Sequence, residues 1–411
     1  MSQKYLKTFI GLSDIASSID NWSFGFQANN IKTLKGSMYY QDPIQNSKLH
    51  FVVEKYQIEY FRPGRISVRL KPWLDKLVID YYFRKAIREC DIFVFFWSSF
   101  HSDFSDYKIL KEKGKKIITV FVGDDIRWEP AMKQEFENND LTPFQYASYD
   151  YSITTLEKKL NFLRVAEKYS DLIFSQPNMS QLSLKPYHNL FIPMSLHDIK
   201  EAPLQRQHPF IVHAPTSIGK GTHYIEPIIE RLKNEGLVFE YKKIQNVPRA
   251  EAMSIYANSD IIIDQLLLPG GGGLAHEGLA MGKVVLTLMA HNKYDQKKPK
   301  DCPLIDVSKE TLYEVLKDLI TNQIKRSEIA VKGGRYIEKY HSPKILIENI
   351  LNHLNGSKLM NPDFYPTFFR EDFIPESKED LVEYNKWNQY VADCDWYKKN
   401  IVPGERAGLL F

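Results

Sequence analysis

Between residues 209 and 289 the chain alternates without a break between short apolar runs and amphipathic stretches, and this alternation restricts the fold more than any other feature. PFIVHA (209–214) reads as a strand. Tyr224, Ile225, Ile228, Ile229 and Leu232 then recur at helical spacing until Gly236 stops the run. Pro227 lies among them, and its missing N–H places it in the helix's first turn. LVFEYKKI (237–244) reads as the next strand, about 249–258 as a short helix, and DIIID (260–264) as a strand. A helix over about 274–282 and a strand at VVLTLM (284–289) follow. Strand and helix in strict succession mean a parallel sheet covered by helices on both faces.

The first half shows the same alternation. KTFIGL, LHFVV, DIFVFFW (91–97), KKIITVFVG (115–123) and DLIFS (171–175) read as strands, with helices at about 72–89, 103–113 and 155–169. Two α/β units therefore stand in series, over 1–200 and 208–355, joined by the polar, aperiodic stretch 196–208. Residues 356–411 are rich in aromatics and prolines and lack the alternation; they read as an extension packed back on the body.

A chain of 411 residues is long enough for two cores. Its 54 Lys+Arg against 51 Asp+Glu leave a net charge of +3, which gives no field for nucleic acid. Cys90, Cys302 and Cys394 are far apart and form no CxxC, so neither a disulfide framework nor a zinc site is expected. No uncharged apolar run reaches ~18 residues, and MSQKYLKTFIGLSD is too short in its apolar part for a secretory signal. A soluble, cytoplasmic protein is the expectation. The basic run over 62–88 carries eight Lys and Arg against Asp75 and Asp80. It suits peripheral contact with anionic lipid or a lipid-linked acceptor, although a solvated helix face accounts for it more simply.

Two stretches carry the chemistry. LLLPGGGGLAHEG (266–278) follows a strand and opens a helix. Backbone N–H groups of Gly270, Gly271, Gly272 and Gly273, with the helix start at Leu274, favour a phosphate there. Glu277, one turn in, is a carboxylate able to accept from a ribose diol. A surface turn with an acidic helix start is the bland alternative. HAPTSIGKGT (213–222) leaves the first strand of the same sheet and brings Thr216, Ser217 and Lys220 to the same edge. A lysine beside a helix start is unfavourable without an anion, and a diphosphate would supply one.

The run from Ile211 to Val285, with its KG loop, YANSD, glycine loop and HEGLAMGKVV, resembles the donor domain of GT-B glycosyltransferases, most of all the retaining "glycosyl transferases group 1" (family 4-like). The resemblance is specific over about 209–290 and does not reach the last ~55 residues. It implies an α/β chain of two Rossmann-like parallel-sheet domains facing a cleft, with a nucleotide-sugar donor as co-substrate and no metal or other cofactor. Glu277 matches the second glutamate of E-x7-E, which holds the ribose. Gly270 and Gly272 match the glycines beside the diphosphate and sugar, and Lys220 the phosphate-binding lysine. Gln245, Asn246 and Val247 fall where the family contacts the nucleobase. Pro269 stands where the first glutamate of E-x7-E belongs, and HAPTSIG lacks the arginine that often partners the lysine.

The first half is then expected to hold a glycan or lipid-linked acceptor. VGDDIRW (122–128) resembles the family's G-S-D-[IL]-R stretch, which directs Asp124, Asp125 and Arg127 toward the cleft; an aspartate capping the next helix is equally compatible. Trp97 can stack on a sugar, and His101 is the nearest titratable group. Asn21 and Gly25 are assigned to the acceptor side. The resemblance implies retention by front-face attack; an inverting enzyme needs a base, for which Asp125 or His101 are the first candidates. The expected function is glycosyl transfer in surface polysaccharide or glycoconjugate synthesis. A sugar-nucleotide epimerase and a non-catalytic GT-B partner subunit are the alternatives.

Overall fold

The computed structural model describes residues 5–15, 17–38, 49–52, 65–128, 132, 152–183, 185–194, 206–289 and 299–363. These divide into two compact units, one of which holds the residues up to Met132, those from 152 to 193, and those from 343 onward. The other holds Met194 and residues 206–342.

In the first unit the order is β1 (Lys7–Leu12), α1 (Ser18–Ala28), β2 (Lys32–Ser37), β3 (Phe51–Val52), α2 (Arg65–Glu89) and β4 (Ile92–Phe96). Then come α3 (Ser105–Glu112), β5 (Lys116–Val120), α4 (Ile153–Tyr169), β6 (Leu172–Ser175) and β7 (His188–Asn189). The seven strands are parallel in the order β3-β2-β1-β4-β5-β6-β7. Period-2 alternation sends β4's side chains to opposite faces. Ile92, Val94 and Phe96 join Trp22 and Phe26 of α1, while Phe93 and Phe95 meet Phe9 and Phe100 in an aromatic layer. A sheet buried on both faces is why these strands read as continuous apolar runs.

The second unit runs β8 (Phe210–His213), a 3₁₀ turn (Ile218–Lys220), α5 (Thr222–Asn234), β9 (Glu240–Lys243), α6 (Arg249–Asn258) and β10 (Ile261–Ile263). It continues with α7 (Gly273–Ala280), β11 (Val284–Thr287), β12 (Ile305–Asp306), α8 (Leu312–Thr321) and α9 (Gln323–Tyr340). Its five parallel strands stand in the order β12-β11-β10-β8-β9. Ile262 and Val285 pack with Ala275 and Leu279 on one face; Ile261, Ile263 and Leu286 pack with Ile225, Ile229 and Leu316 on the other. Arg326, fully buried, donates to the last carbonyls of α8, at Leu319 and Ile320, and so closes a helix end that would otherwise be unsatisfied.

Three expectations change. Asn21 and Gly25, assigned to the acceptor side, lie within α1, where Ile19, Trp22, Ser23 and Phe26 are buried at helical spacing and Gly25 is buried with them. Pro227 lies in the second turn of α5 rather than the first, since the helix begins at Thr222. The second unit does not extend to 355: the last helix, α10 (Pro343–Leu354), belongs to the first unit, where Ile347 and Ile350 complete the core beneath α1. The chain continues on that unit, and Asp363 accepts from Asn189 N at 2.7 Å beside β7. Residues 195–205 of the expected linker and 364–411 of the extension lie outside the described residues. Among the described residues no helix is long and apolar enough to cross a membrane.

Candidate functional site

In the second sheet β8 has β10 on one side and β9 on the other, so the chain changes its direction of growth between β8 and β10. Loops leaving the carboxyl ends of such a pair open a crevice where ligands bind. Here those loops also bond each other: Leu266 N donates to Lys220 O and Leu267 N to Gly219 O, both at 3.3 Å. The approach demands glycine at 221, whose φ is +77° and where a Cβ would lie 2.9 Å from that of Leu266. His213, buried at the end of β8, donates Nδ1–H to Ile263 O and accepts the Thr222 hydroxyl at Nε2, both at 2.9 Å. Burial lowers its pKa, so the neutral tautomer is fixed and locks two strands to the start of α5.

Lys220 is not the solitary cation expected from HAPTSIG. Its Nζ is 2.5 Å from Asp264 Oδ1 and 3.0 Å from Gln265 Oε1. Asp264, wholly buried, also accepts Gly272 N at 2.9 Å through Oδ2. Gln265 donates to Leu268 O and Gly270 O, and His276 Nδ1 donates to Gly272 O at 2.8 Å. The glycine run is therefore a tied loop. Gly270, at φ +92°, needs glycine for its backbone, while a Cβ on Gly272 would make ordinary contact with Asp264 and Lys220. The N–H groups of Gly270 and Gly272 are used, by Leu288 O and Asp264. Those of Gly271 and Gly273 have no partner among the described residues and remain for an anion at the start of α7.

Glu277 is buried one turn into α7, and Arg249, from the first turn of α6, donates to its Oε1 at 2.5 Å. At the carboxyl ends of β8 and β9 lies a cavity of about 600 Å³. Thr216, Ser217 and Ile218 form one wall, Gln245, Asn246 and Val247 another, and Ala252 and Tyr256 of α6 close it. Burial, with Glu277's charge adding to it, pushes the Tyr256 phenol up to about 12, so it stays a donor. Leu274, half-buried, packs at the start of α7. Every side chain that the sequence assigned to the donor thus gathers at one end of one sheet. Among the described residues no group of His, Cys, Asp and Glu could hold a metal ion.

On the first unit the candidates separate. Asp125 turns inward: its carboxylate accepts from Val122 N, Gly123 N and Ile126 N at 2.9–3.1 Å, and burial pushes it up to about 6. Asp124 is half-buried and pairs with Arg127 at 2.9 Å. Trp97, at φ +60° and 38 % exposed, stands near Gly123. His101 bonds Ser105 through Nδ1 and meets Phe83 edge-on. Asn21 is half-buried on α1. Gly25 lines no open edge; a Cβ there would lie 2.5 Å from Pro343 O and 2.6 Å from Ile347, because it is the point at which α10 touches α1.

Sequence reasoning missed Asp264, Gln265, His276 and Arg249. DQ directly after an apolar strand, where a polar pair has to find partners, was the available signal for the first two.

No protein-family model matches the chain, and no curated protein is significantly similar to it. Solved structures share its architecture. Sucrose-phosphate synthase from Thermosynechococcus elongatus matches with a TM-score of 0.55 at 9 % identity, over 86 % of this chain and 100 % of that one. HepE of Anabaena, solved with UDP and glucose, gives 0.51 at 12 % identity, over 86 % and 100 %. An alpha-glucosyltransferase solved with UDP and a 13-mer DNA gives 0.51 at 11 % identity, over 86 % and 100 %. With its two parallel α/β units, this chain has the GT-B fold of those glycosyltransferases.

Proposed function

We propose that the protein is a glycosyltransferase of the retaining, family 4-like kind, moving a sugar from a nucleotide donor bound on the second unit. One observation carries this reading: at the β8/β10 switch point Lys220 is tied to the glycine loop through Asp264, and Thr216, Ser217, Asn246 and Val247 from the neighbouring strand ends line a cavity of about 600 Å³. That volume suits a nucleoside. The base takes the cavity against Asn246 and Val247, and the ribose diol bonds Glu277. The diphosphate meets Lys220 and the N-terminus of α7, which neutralise the leaving group without a metal. HepE and the alpha-glucosyltransferase were solved with UDP, which makes UDP the first nucleotide to try.

The acceptor, a glycan or lipid-linked sugar, is assigned to the first unit through Trp97, Asp124 and Arg127. Retention by front-face attack needs no strong base, in keeping with Asp125's commitment to three backbone N–H groups. The exposed Lys76, Arg84 and Arg88 of α2 suit peripheral contact with an anionic membrane surface. Surface polysaccharide or glycoconjugate synthesis is the pathway this combination fits.

Incubating the chain with a panel of sugar nucleotides, with and without glycan acceptors, and following products by mass spectrometry tests the reading. Acceptor-dependent release of the nucleoside diphosphate is expected. Conversion of the sugar nucleotide with no acceptor present would make it an epimerase instead.

A further inference from the structure

We infer that Asp264 is an internal counter-ion of the donor site: it holds Lys220 at the glycine loop and limits how tightly a spent nucleoside diphosphate is retained. The inference rests on the donor reading above. Among the residues of that reading, Lys220 is paired with Asp264 and Glu277 with Arg249. The four charges sum to zero. A site built only to capture a dianion or trianion would leave its cations unpaired.

The geometry of the Lys220 pair is specific. Asp264 is completely buried, and its two oxygens divide between the ammonium and Gly272 N–H. One carboxylate thereby fixes a cation from the loop after β8 and a backbone donor from the loop after β10. Gln265 holds the same ammonium and the carbonyls of Leu268 and Gly270. Lys220 has three N–H groups, of which Asp264 and Gln265 take two. The third is available to a phosphate oxygen without breaking either bond. A diphosphate then meets a lysine already in place, which raises the share of binding spent on orientation. It also meets the full negative charge of Asp264 behind that lysine, which weakens the net attraction. Asp264 is a positioning residue in this account, because it acts through Lys220 and the loop.

Asp264→Asn separates this role from a merely structural one. Asparagine can keep its oxygen on Gly272 N–H, and its NH2, a donor, then faces the Lys220 ammonium, so the carboxylate charge and its bond to Lys220 go together while Gln265 still holds the ammonium. Loss of one hydrogen bond weakens binding, but removal of a full charge at this distance outweighs it. Isothermal titration of the full chain with UDP and with inorganic pyrophosphate should therefore show binding at least about fivefold tighter in Asp264→Asn than in the unaltered protein. Equal or weaker binding by a folded variant, where the unaltered protein binds, overturns this inference alone. No binding of either probe by the unaltered protein overturns the donor reading and this inference with it. Should Asp264→Asn fail to fold, Lys220→Gln serves, since glutamine can still donate to Asp264 without a charge. The account requires at least about tenfold weaker UDP binding in that variant. Unchanged affinity would make Lys220 a loop brace and end the counter-ion account.

Discussion

Arg249 and Glu277 form an ion pair between the first turn of α6 and the middle of α7, with Nη2 and Oε1 2.5 Å apart. The Glu277 side chain is only 7 % exposed and that of Arg249 35 %. One carboxylate oxygen is committed to the guanidinium; Oε2 has no partner among the described residues. The pair therefore orients a buried carboxylate and leaves it one oxygen for a ligand.

Removing the cation should leave that carboxylate uncompensated. For Arg249→Met we expect a loss of about 1–2 kcal/mol of stability, less than for a fully buried pair because the guanidinium is partly solvated. Urea denaturation checks it, and an unchanged midpoint would mean that the pair contributes nothing to the fold.

Gly25 was assigned to the acceptor side, whereas the structure puts it under α10. Gly25→Ala should cost about 1–3 kcal/mol by forcing α1 and α10 apart, with the Cβ 2.5 Å from Pro343 O as the cause. Thermal denaturation of the variant measures this. A Gly25→Ala protein of full stability and altered turnover would restore the acceptor role.

The buried carboxylate of Asp125 gives a pH signature. Its folded-state pKa, about 6, lies above the ordinary 3.8, so the folded chain binds this proton more tightly than the unfolded chain. Stability from this group is complete below about pH 4 and declines as pH rises through about 6, by on the order of 2–3 kcal/mol. Asp106, held by Ser99 and Phe100 N and pushed up to about 6 by burial, acts in the same window. Urea midpoints at pH 4 and pH 6.5 should show the fall, and Asp125→Asn should reduce it. A slope identical in the variant would contradict the assignment.

The parts of this fold visible in the sequence were those where one physical cause acts locally. Strands β8, β10 and β11 are buried on both faces, so Ile261–Ile263 and Val284–Thr287 could be read directly as apolar runs. Their alternation with helices put Lys220 and the glycines on one sheet edge. The missing parts depend on distant partners. In α1, Trp22 and Phe26 have helical spacing, but Gly25 and Asn21 weaken the local helical signal and α10 supplies the packing. Lys220 meets Asp264 because β8 lies beside β10, a neighbour relation that no local pattern states. Asp264 then turns an open cradle into a tied loop, which spacing alone could not show.

The central claim is that the second unit binds a nucleotide through Glu277. Titration calorimetry of UDP and other nucleoside diphosphates into the full chain, and into Glu277→Ala, tests it most directly. The account predicts binding of at least one nucleotide by the unaltered protein, weakened at least about tenfold in the variant, since a hydrogen bond to a charged group contributes roughly 1.5–3 kcal/mol. Equal affinity in a folded Glu277→Ala protein, or no nucleotide binding by the unaltered chain, would contradict it.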